Sequence, residues 1–183
     1  MKKAILILLV TISTILSSSC GNSDKKEQKT KKEVSKSTPE KMLNREASRL
    51  RAGGSVKDVT LENGKAIINY VKDYEEYKKL NPESRLKESD LKSYWDSGDA
   101  IEKALVDGSV RLMKKLDFLH QVIINLPVNE KVYTINVSKG KLLKFINSDF
   151  EKLKTDWENT FSNPYVYSDN GRRKFFNKFG KVE

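Results

Sequence analysis

The dipeptide Asn63-Gly64 restricts the fold of this chain more than any other feature of its sequence. Asn-Gly is the dipeptide most typical of a two-residue β-hairpin loop, because both turn positions require a positive φ. The flanking stretches are rich in apolar and β-branched residues, so the sequence predicts a hairpin from about 56 to 71. A two-residue loop also fixes the strand register. The expected cross-strand pairs are Glu62 with Lys65, Leu61 with Ala66, and Val59 with Ile68.

A second hairpin is predicted between about residues 121 and 137, with Asn129-Glu130 as its turn. Apolar side chains alternate along both strands, which is the pattern of a sheet with one buried face. Pro127 interrupts the first strand and cannot donate a backbone hydrogen bond, so we expect it at an edge position. The implied cross-strand pairs are Leu126 with Tyr133 and Ile124 with Ile135.

A long stretch between the hairpins has the spacing of an amphipathic helix. Its apolar residues recur on one face from about Ser89 to Leu119. Gly98 and Gly108 fall on the same face, where glycine either allows close packing against a sheet or marks a break. The sequence therefore predicts one long helix or one helix that is broken once.

A second amphipathic stretch begins after Ser138 and is expected to end at Asn163-Pro164, because the residue before proline disfavours the helical conformation. A shorter helix is expected to begin at Thr38-Pro39, since proline suits the first helical position. The order of elements predicts an α+β fold of ββαββα type. In this fold a four-stranded, mainly antiparallel sheet carries two long helices, and a short N-terminal helix precedes it.

Composition excludes several classes of functional site. The 183 residues contain one cysteine and one histidine, which excludes an intrachain disulfide, a zinc finger, an iron–sulfur cluster and a paired-histidine metal site. The sequence also lacks a glycine-rich phosphate loop, a dinucleotide fingerprint and an HExxH motif. We therefore predict neither a cofactor nor a metal centre.

The first twenty residues have the organisation of an export signal. Lys2 and Lys3 precede a run of thirteen residues, Ala4 to Leu16, whose only polar members are hydroxyl side chains. That run is shorter than the roughly 20 residues needed to span a bilayer. Three serines follow the run, and after them comes Cys20, the single cysteine of the chain.

This arrangement resembles the type II signal peptide of bacterial lipoproteins, which ends in a lipobox with an invariant cysteine. The resemblance covers residues 1–20, and the lipobox is a relaxed one, because Ser17 stands where leucine is usual. It implies that residues 1–19 are removed and that Cys20 becomes the lipidated first residue. It also implies a location in the bacterial cell envelope, lipid-anchored to a membrane and facing the periplasm or the cell exterior. The alternative is an ordinary secretory signal, cut near Ser19, that leaves a free thiol.

Residues 20–37 are expected to form a flexible basic tether, because Val34 is the single apolar residue between positions 21 and 37. The formal net charge of +10 divides into +2 for residues 1–19, +5 for residues 21–54 and +3 for residues 55–183. Most of the positive charge therefore lies outside the folded part, and we predict no nucleic-acid partner. The expected divisions are a signal peptide at 1–19, the lipidated tether at 20–37, a short helix with a Gly-Gly hinge at 38–54 and one α+β domain at 55–183.

Few residues of the predicted domain are candidates for catalysis. His120 is the only imidazole, and its place at the end of the long helix is more typical of a capping or boundary residue. Asp96 and Asp99 could share a helix face, as the carboxylates of a glycosidase or a calcium site do, or could cap helices. No nucleophile elbow accompanies them. We therefore predict no enzymatic activity and assign no catalytic residue.

Two groups of residues are candidates for binding. The first is aromatic and either lines a ligand surface or covers the edge of the core. It comprises Tyr70, Tyr74, Tyr77 and Trp95. The second lies near the C-terminus, where it either contacts a membrane or partner or forms a helical turn with its phenylalanines in the core. Its cations are Arg172, Arg173, Lys174 and Lys178, and its phenylalanines are Phe175, Phe176 and Phe179.

Together these patterns predict a membrane-anchored envelope lipoprotein with a noncatalytic role, as a binding protein or as an accessory or structural subunit. The expected partners are the lipid bilayer, through acylated Cys20, and a protein or polymer of the envelope. The alternative is a small hydrolase of cell-wall or glycan polymers, for which Asp96, Asp99 and His120 are the candidate residues.

Overall fold

An open five-stranded sheet organises the part of the chain that the structure, a computed structural model, describes, namely residues 37–97 and 99–183. The strands are β1 Val56–Glu62, β2 Lys65–Tyr70, β3 Gln121–Val128, β4 Lys131–Ser138 and β5 Gly180–Val182. They lie side by side in their order along the chain. The pair β2–β3 is parallel, and the other three neighbouring pairs are antiparallel.

Both predicted hairpins are confirmed, together with their registers. Asn63 and Gly64 adopt φ values of 47° and 75°, as a two-residue loop of this kind requires. Asn129 and Glu130 also have positive φ and join β3 to β4. The confirmed pairs are Glu62 with Lys65, Leu61 with Ala66, Val59 with Ile68, Leu126 with Tyr133 and Ile124 with Ile135.

Helices and helical turns account for most of the remaining described chain. The α-helices are α1 Pro39–Ala47, α2 Tyr74–Leu80, α3 Glu88–Asp96, α4 Ala100–Lys115, α5 Lys139–Ile146, α6 Phe150–Thr155 and α7 Asp169–Phe179. A π-helical segment spans Glu158–Tyr167 and a 3₁₀ turn spans Gly53–Ser55. The predicted α+β class is therefore confirmed.

The prediction of four strands is wrong, because β5 adds a fifth at the edge beside β4. It spans Gly180–Val182 and pairs with Tyr133–Ile135. Three residues are too few for an alternating apolar pattern, so nothing in the sequence marked this strand. The parallel pairing of β2 with β3 requires a long crossover, which residues 71–120 provide with three helices.

The helical stretch between the hairpins is broken once, as expected, between the end of α3 at Asp96 and the start of α4 at Ala100. Gly108 lies within α4 and causes no break. A Cβ atom at this position would stand 3.1 Å from Cδ1 of Ile124 on β3, so the missing side chain allows α4 to lie close to the sheet.

The single second helix that was expected up to Asn163-Pro164 is wrong, because this stretch divides into α5, α6 and the π-helical segment. Asn147 ends α5 with a left-handed φ of 50°. Asp149 then caps α6, its side chain accepting the backbone N–H of Lys152 at 2.7 Å. Pro164 lies inside the π-helical segment and does not end it.

The helix predicted at Thr38-Pro39 is confirmed as α1. The Thr38 side chain accepts the backbone N–H of Lys41, and Pro39 opens the helix. Leu43 and Ala47 are buried in the same core as α4 and the sheet. α1 is therefore packed against the remainder of the fold.

Pro127 does not lie on an edge strand, because β3 is flanked by β2 and β4. Pairing between β2 and β3 nevertheless ends at Asn69 and Asn125. Pro127 comes after Asn125, so this part of β3 has no strand paired with it on the β2 side. A residue without an N–H group is tolerated there for the same reason that it is tolerated at an edge.

Candidate functional site

A cavity of about 280 Å³ opens beyond the carboxyl ends of β2 and β3. Because these strands are parallel, both ends reach the same edge of the sheet, where ligands bind in sheets built from parallel strands. Residues of α3 and of the β3–β4 turn both line the opening. We call it the strand-end cavity; it is lined by Val71, Lys72, Asp73, Tyr74, Glu88, Leu91, Lys92, Trp95, Pro127, Val128, Asn129 and Glu130.

The four aromatic residues of the predicted binding group lie near one another, but much of their surface is buried. The ring of Tyr70 meets the ring of Trp95 edge to face at 5.9 Å, and both residues are buried. Tyr77 is also buried, and Tyr74 is half-buried. Trp95 and Tyr74 line the strand-end cavity, whereas Tyr70 and Tyr77 do not. The group therefore forms a wall of the cavity and part of the core, and it does not form a continuous exposed surface.

A hydrogen bond holds Tyr70, which packs against Trp95 in the wall of the cavity. The Tyr70 hydroxyl donates to the backbone carbonyl of Arg51 at 2.9 Å. Burial raises the pKa of the Tyr70 hydroxyl, so the group stays neutral and keeps its proton for this bond. Trp95, which packs on Tyr70, is thereby held at the cavity edge.

Charges of both signs surround the apolar wall of the strand-end cavity. Lys72 Nζ lies 3.8 Å from an oxygen of Asp73. Glu88, Lys92 and Glu130 form no salt bridge with any residue that the structure describes, and their charges are available to a ligand. This combination can hold a group that presents an apolar portion together with polar or charged atoms.

Comparison with known proteins gave no match. No family model, no curated protein and no solved structure is similar to this chain.

Two of the candidate catalytic residues, His120 and Asp96, lie at opposite ends of β3. His120 precedes β3, where its Nε2 is 2.6 Å from the Asn63 carbonyl oxygen. Asp96 accepts a hydrogen bond at 2.9 Å from Asn129, which follows β3. The eight-residue strand therefore separates them by about 25 Å at 3.3 Å per residue.

Asp99, the third candidate, is engaged in ion pairs. One of its oxygens lies 3.2 Å from Lys103 Nζ, and the other lies 2.7 Å from an Arg172 nitrogen. The hydrogen bond from Lys103, assisted by the charge of Arg172, lowers the pKa of the Asp99 carboxyl. A carboxylate held in this way is stabilised as an anion and is poorly suited to act as a general acid.

The prediction that Arg172 lies on a contact surface is wrong, because this residue is only 1% exposed. Its guanidinium lies 2.7 Å from Asp99, 3.3 Å from Glu102 and 2.9 Å from Asp169. It also donates to the Val166 carbonyl at 2.9 Å. Arg172 thus joins α7 to the start of α4 through a buried guanidinium whose carboxylate partners remain partly exposed.

The rest of the C-terminal segment has two faces. Phe175, Phe176 and Phe179 are buried in the core, as the second interpretation of this segment expected. Arg173, Lys174 and Lys178 are exposed, so a contact role for these three stays a prediction. The Ser168 side chain accepts the Gly171 N–H and caps the start of α7.

A second cavity, of about 540 Å³, lies where α5 and the end of α7 meet β4. We call it the lysine cavity; it is lined by Asn136, Lys141, Lys144, Phe145, Lys178 and Phe179. Of these, only Lys178 and Phe179 belong to a candidate binding group predicted from the sequence. Lys141 and Lys144 are one helical turn apart, a spacing that is common on exposed helix faces and was not distinctive by itself.

Cys20 lies outside the described residues, so its predicted lipidation stays a prediction. In the two described ranges, no group of three or more potential ligands is placed to hold a metal ion. Nor does any helix there have the length and apolar character to cross a membrane.

Proposed function

We propose that this protein is a membrane-anchored lipoprotein of the bacterial envelope whose α+β domain binds an envelope component without catalysing a reaction. The proposal for the anchor rests on residues 1–20, in which a short apolar run leads to the single cysteine. Two or more acyl chains on Cys20 would hold the chain stably in a bilayer, because each buried methylene contributes about 0.8 kcal/mol. The 17 residues from 21 to 37 could extend about 60 Å from that anchor.

One observation carries the noncatalytic part of the proposal. The three side chains that could have served as acid, base or carboxylate pair each form a structural contact, and His120 lies at the opposite end of β3 from the residue that Asp96 contacts. His120 contacts the Asn63 carbonyl, Asp96 contacts Asn129, and Asp99 contacts Lys103. An acid–base mechanism needs such groups within hydrogen-bond reach of one substrate.

The strand-end cavity is the proposed binding site. It lies where a parallel strand pair ends, it has an apolar wall that includes Trp95, and Lys92, Glu88 and Glu130 surround that wall. Its volume of about 280 Å³ suits one sugar ring or one large side chain of an extended polymer or peptide. These features favour a segment of an envelope polymer or protein as the ligand.

The anchor is tested by metabolic labelling with a clickable fatty acid in a bacterial host. We expect Cys20→Ala to abolish labelling and to release the protein from the membrane fraction. Ser18→Ala is the matched control and should leave both unchanged, because it keeps the cysteine. Persistent labelling of Cys20→Ala would refute the anchor.

The binding role is tested by photo-crosslinking in cells from a residue inside the cavity. A crosslinking amino acid at position 92 should capture a defined envelope component, and the same group at position 115, exposed on α4 outside the cavity, should not. Equal products from both positions would contradict the assignment of the cavity. Release of soluble fragments from isolated cell walls by the protein, lost in Asp96→Asn, would instead favour the hydrolase.

A further inference from the structure

The lysine cavity carries positive charge that the fold does not neutralise. Lys141, Lys144 and Lys178 are exposed and form no salt bridge with any described residue. None of the described residues that line the cavity is acidic. Several lysines elsewhere on the domain are paired with an acid; for example, Lys57 lies 2.8 Å from Glu76, and Lys79 lies 2.7 Å from Glu75. The cavity is therefore a local excess of positive charge on a domain whose total charge is nearly balanced.

The base of the cavity is apolar, which strengthens the effect of these charges. The rings of Phe145 and Phe179 meet edge to face with their centroids 5.4 Å apart, and Phe179 is buried. Two helices position the cations around this base, Lys141 and Lys144 from α5 and Lys178 from the last turn of α7. A charge beside a region of low dielectric attracts an opposite charge more strongly than it would in open water.

Asn136 adds an oriented hydrogen-bond donor. Gln121 Nε2 donates to Asn136 Oδ1 at 2.7 Å, which occupies the carbonyl side of this amide. The Asn136 amide nitrogen forms no hydrogen bond with another described residue, and Asn136 lines the cavity. The polar side chains that surround the cavity thus present N–H donors, while the acceptor of Asn136 is already bonded.

We propose that the lysine cavity binds a phosphate-bearing polyanion. Three ammonium groups and one amide donor suit a ligand that has several acceptor oxygens and at least two negative charges. Ammonium groups are compact point charges that approach tetrahedral phosphate oxygens from separate directions, whereas planar carboxylates are matched best by the fork of arginine. The phosphate group can belong to a soluble polymer or to a lipid headgroup. The lysine cavity shares no lining residue with the strand-end cavity, and lipidation of Cys20 contributes nothing to it.

The test measures the binding of phosphate-bearing probes to the full chain carrying Cys20→Ala. This change removes the lipidation site, so no acyl chain contributes to the measured binding. The cavity variant combines Lys141→Gln, Lys144→Gln and Lys178→Gln. The matched control combines Lys41→Gln, Lys115→Gln and Lys131→Gln, which removes the same charge from exposed lysines outside the cavity. All six side chains are exposed, so we expect both variants to unfold at the temperature of the parent.

Two probes distinguish the sources of phosphate. Inorganic pyrophosphate is measured by calorimetry, and vesicles of phosphatidylglycerol are measured by cosedimentation against vesicles of phosphatidylcholine. We expect the cavity variant to bind on the order of tenfold more weakly than the parent, and the control much less so. If the cavity variant binds pyrophosphate more weakly than the parent does, the ligand is a soluble phosphate compound. If only its binding to phosphatidylglycerol vesicles is weaker, the ligand is a lipid headgroup. Equal weakening in both variants, or no binding of either probe by the parent, would overturn the proposal.

Discussion

Arg172 provides the sharpest test of how the C-terminal helix is held. The change Arg172→Met keeps an unbranched apolar stem and removes the guanidinium that contacts Asp99, Glu102 and Asp169. Three carboxylates would then remain beside one another without their shared cation. The Val166 carbonyl would also lose its hydrogen bond.

The size of the stability loss expected for Arg172→Met follows from how deeply the groups that contact Arg172 are buried. Removing one member of a buried ion pair costs about 3–5 kcal/mol, because the remaining charge stays desolvated. Here the side chains of Asp99 and Asp169 are 45% and 70% exposed, so water can solvate them again, and the cost of losing the ion pairs falls below this range, to about 2 kcal/mol. The Val166 carbonyl adds part of the 1–3 kcal/mol that an unsatisfied buried acceptor costs. We expect a total loss of about 3 kcal/mol in the free energy of unfolding, or about 10 °C in Tm.

The assay is urea unfolding of the full chain, followed by circular dichroism and tryptophan fluorescence. The matched control is Arg173→Met, which makes the same chemical change at the neighbouring exposed position and should cost less than about 0.5 kcal/mol. If the two variants unfold at the same urea concentration, the buried ion-pair cluster does not exist as described and the reasoning fails.

Two further predictions concern close packing and pH. A Cβ atom at Gly171 would overlap the Pro164 carbonyl oxygen, so Gly171→Ala should cost about 2 kcal/mol or more in thermal unfolding. Gly140 lies in helix α5, and no atom lies within 4 Å of a Cβ at this position, so Gly140→Ala should instead stabilise the fold by up to about 1 kcal/mol. Equal effects of the two substitutions would contradict the close approach of Gly171 to the Pro164 carbonyl. The hydrogen bond from Lys57 lowers the pKa of the Glu76 carboxyl below its ordinary value of 4.5, so the stability that this carboxylate contributes is complete above that value. It is lost as the pH falls through the lowered pKa of the folded state. Melting temperatures recorded between neutral and acidic pH should therefore fall less steeply in Glu76→Gln than in the parent, while Glu83→Gln, an exposed change without this partner, should follow the parent curve.

Local chemistry explains which parts of the fold could be predicted from the sequence. Asn63-Gly64 specifies its turn through backbone conformation alone, and the alternation of apolar residues then determines the register of β1 with β2. The same reasoning applies to β3 and β4, because all of the residues involved are close in sequence. The α+β class follows from these local patterns.

The candidate sites were less predictable because they depend on contacts between distant residues. The parallel pairing of β2 with β3 brings residues 71–74 beside residues 127–130, and no pattern within either segment reports the other. Arg172 lies in a run of cations that resembles a solvated surface, and only the position of α4 reveals that it faces Asp99 and Glu102. The strand β5 is formed by its neighbour β4 and has too few residues for a pattern of its own.

The location of α7 and β5 has a consequence for the order in which the chain acquires its structure during synthesis. The segment from Asp169 to Val182 supplies three buried phenylalanines, the buried Arg172 and the strand beside β4. While the ribosome still covers this segment, the growing chain has an incomplete core and an open sheet edge. Domains fold as units, so the domain would complete its fold only after these residues have emerged.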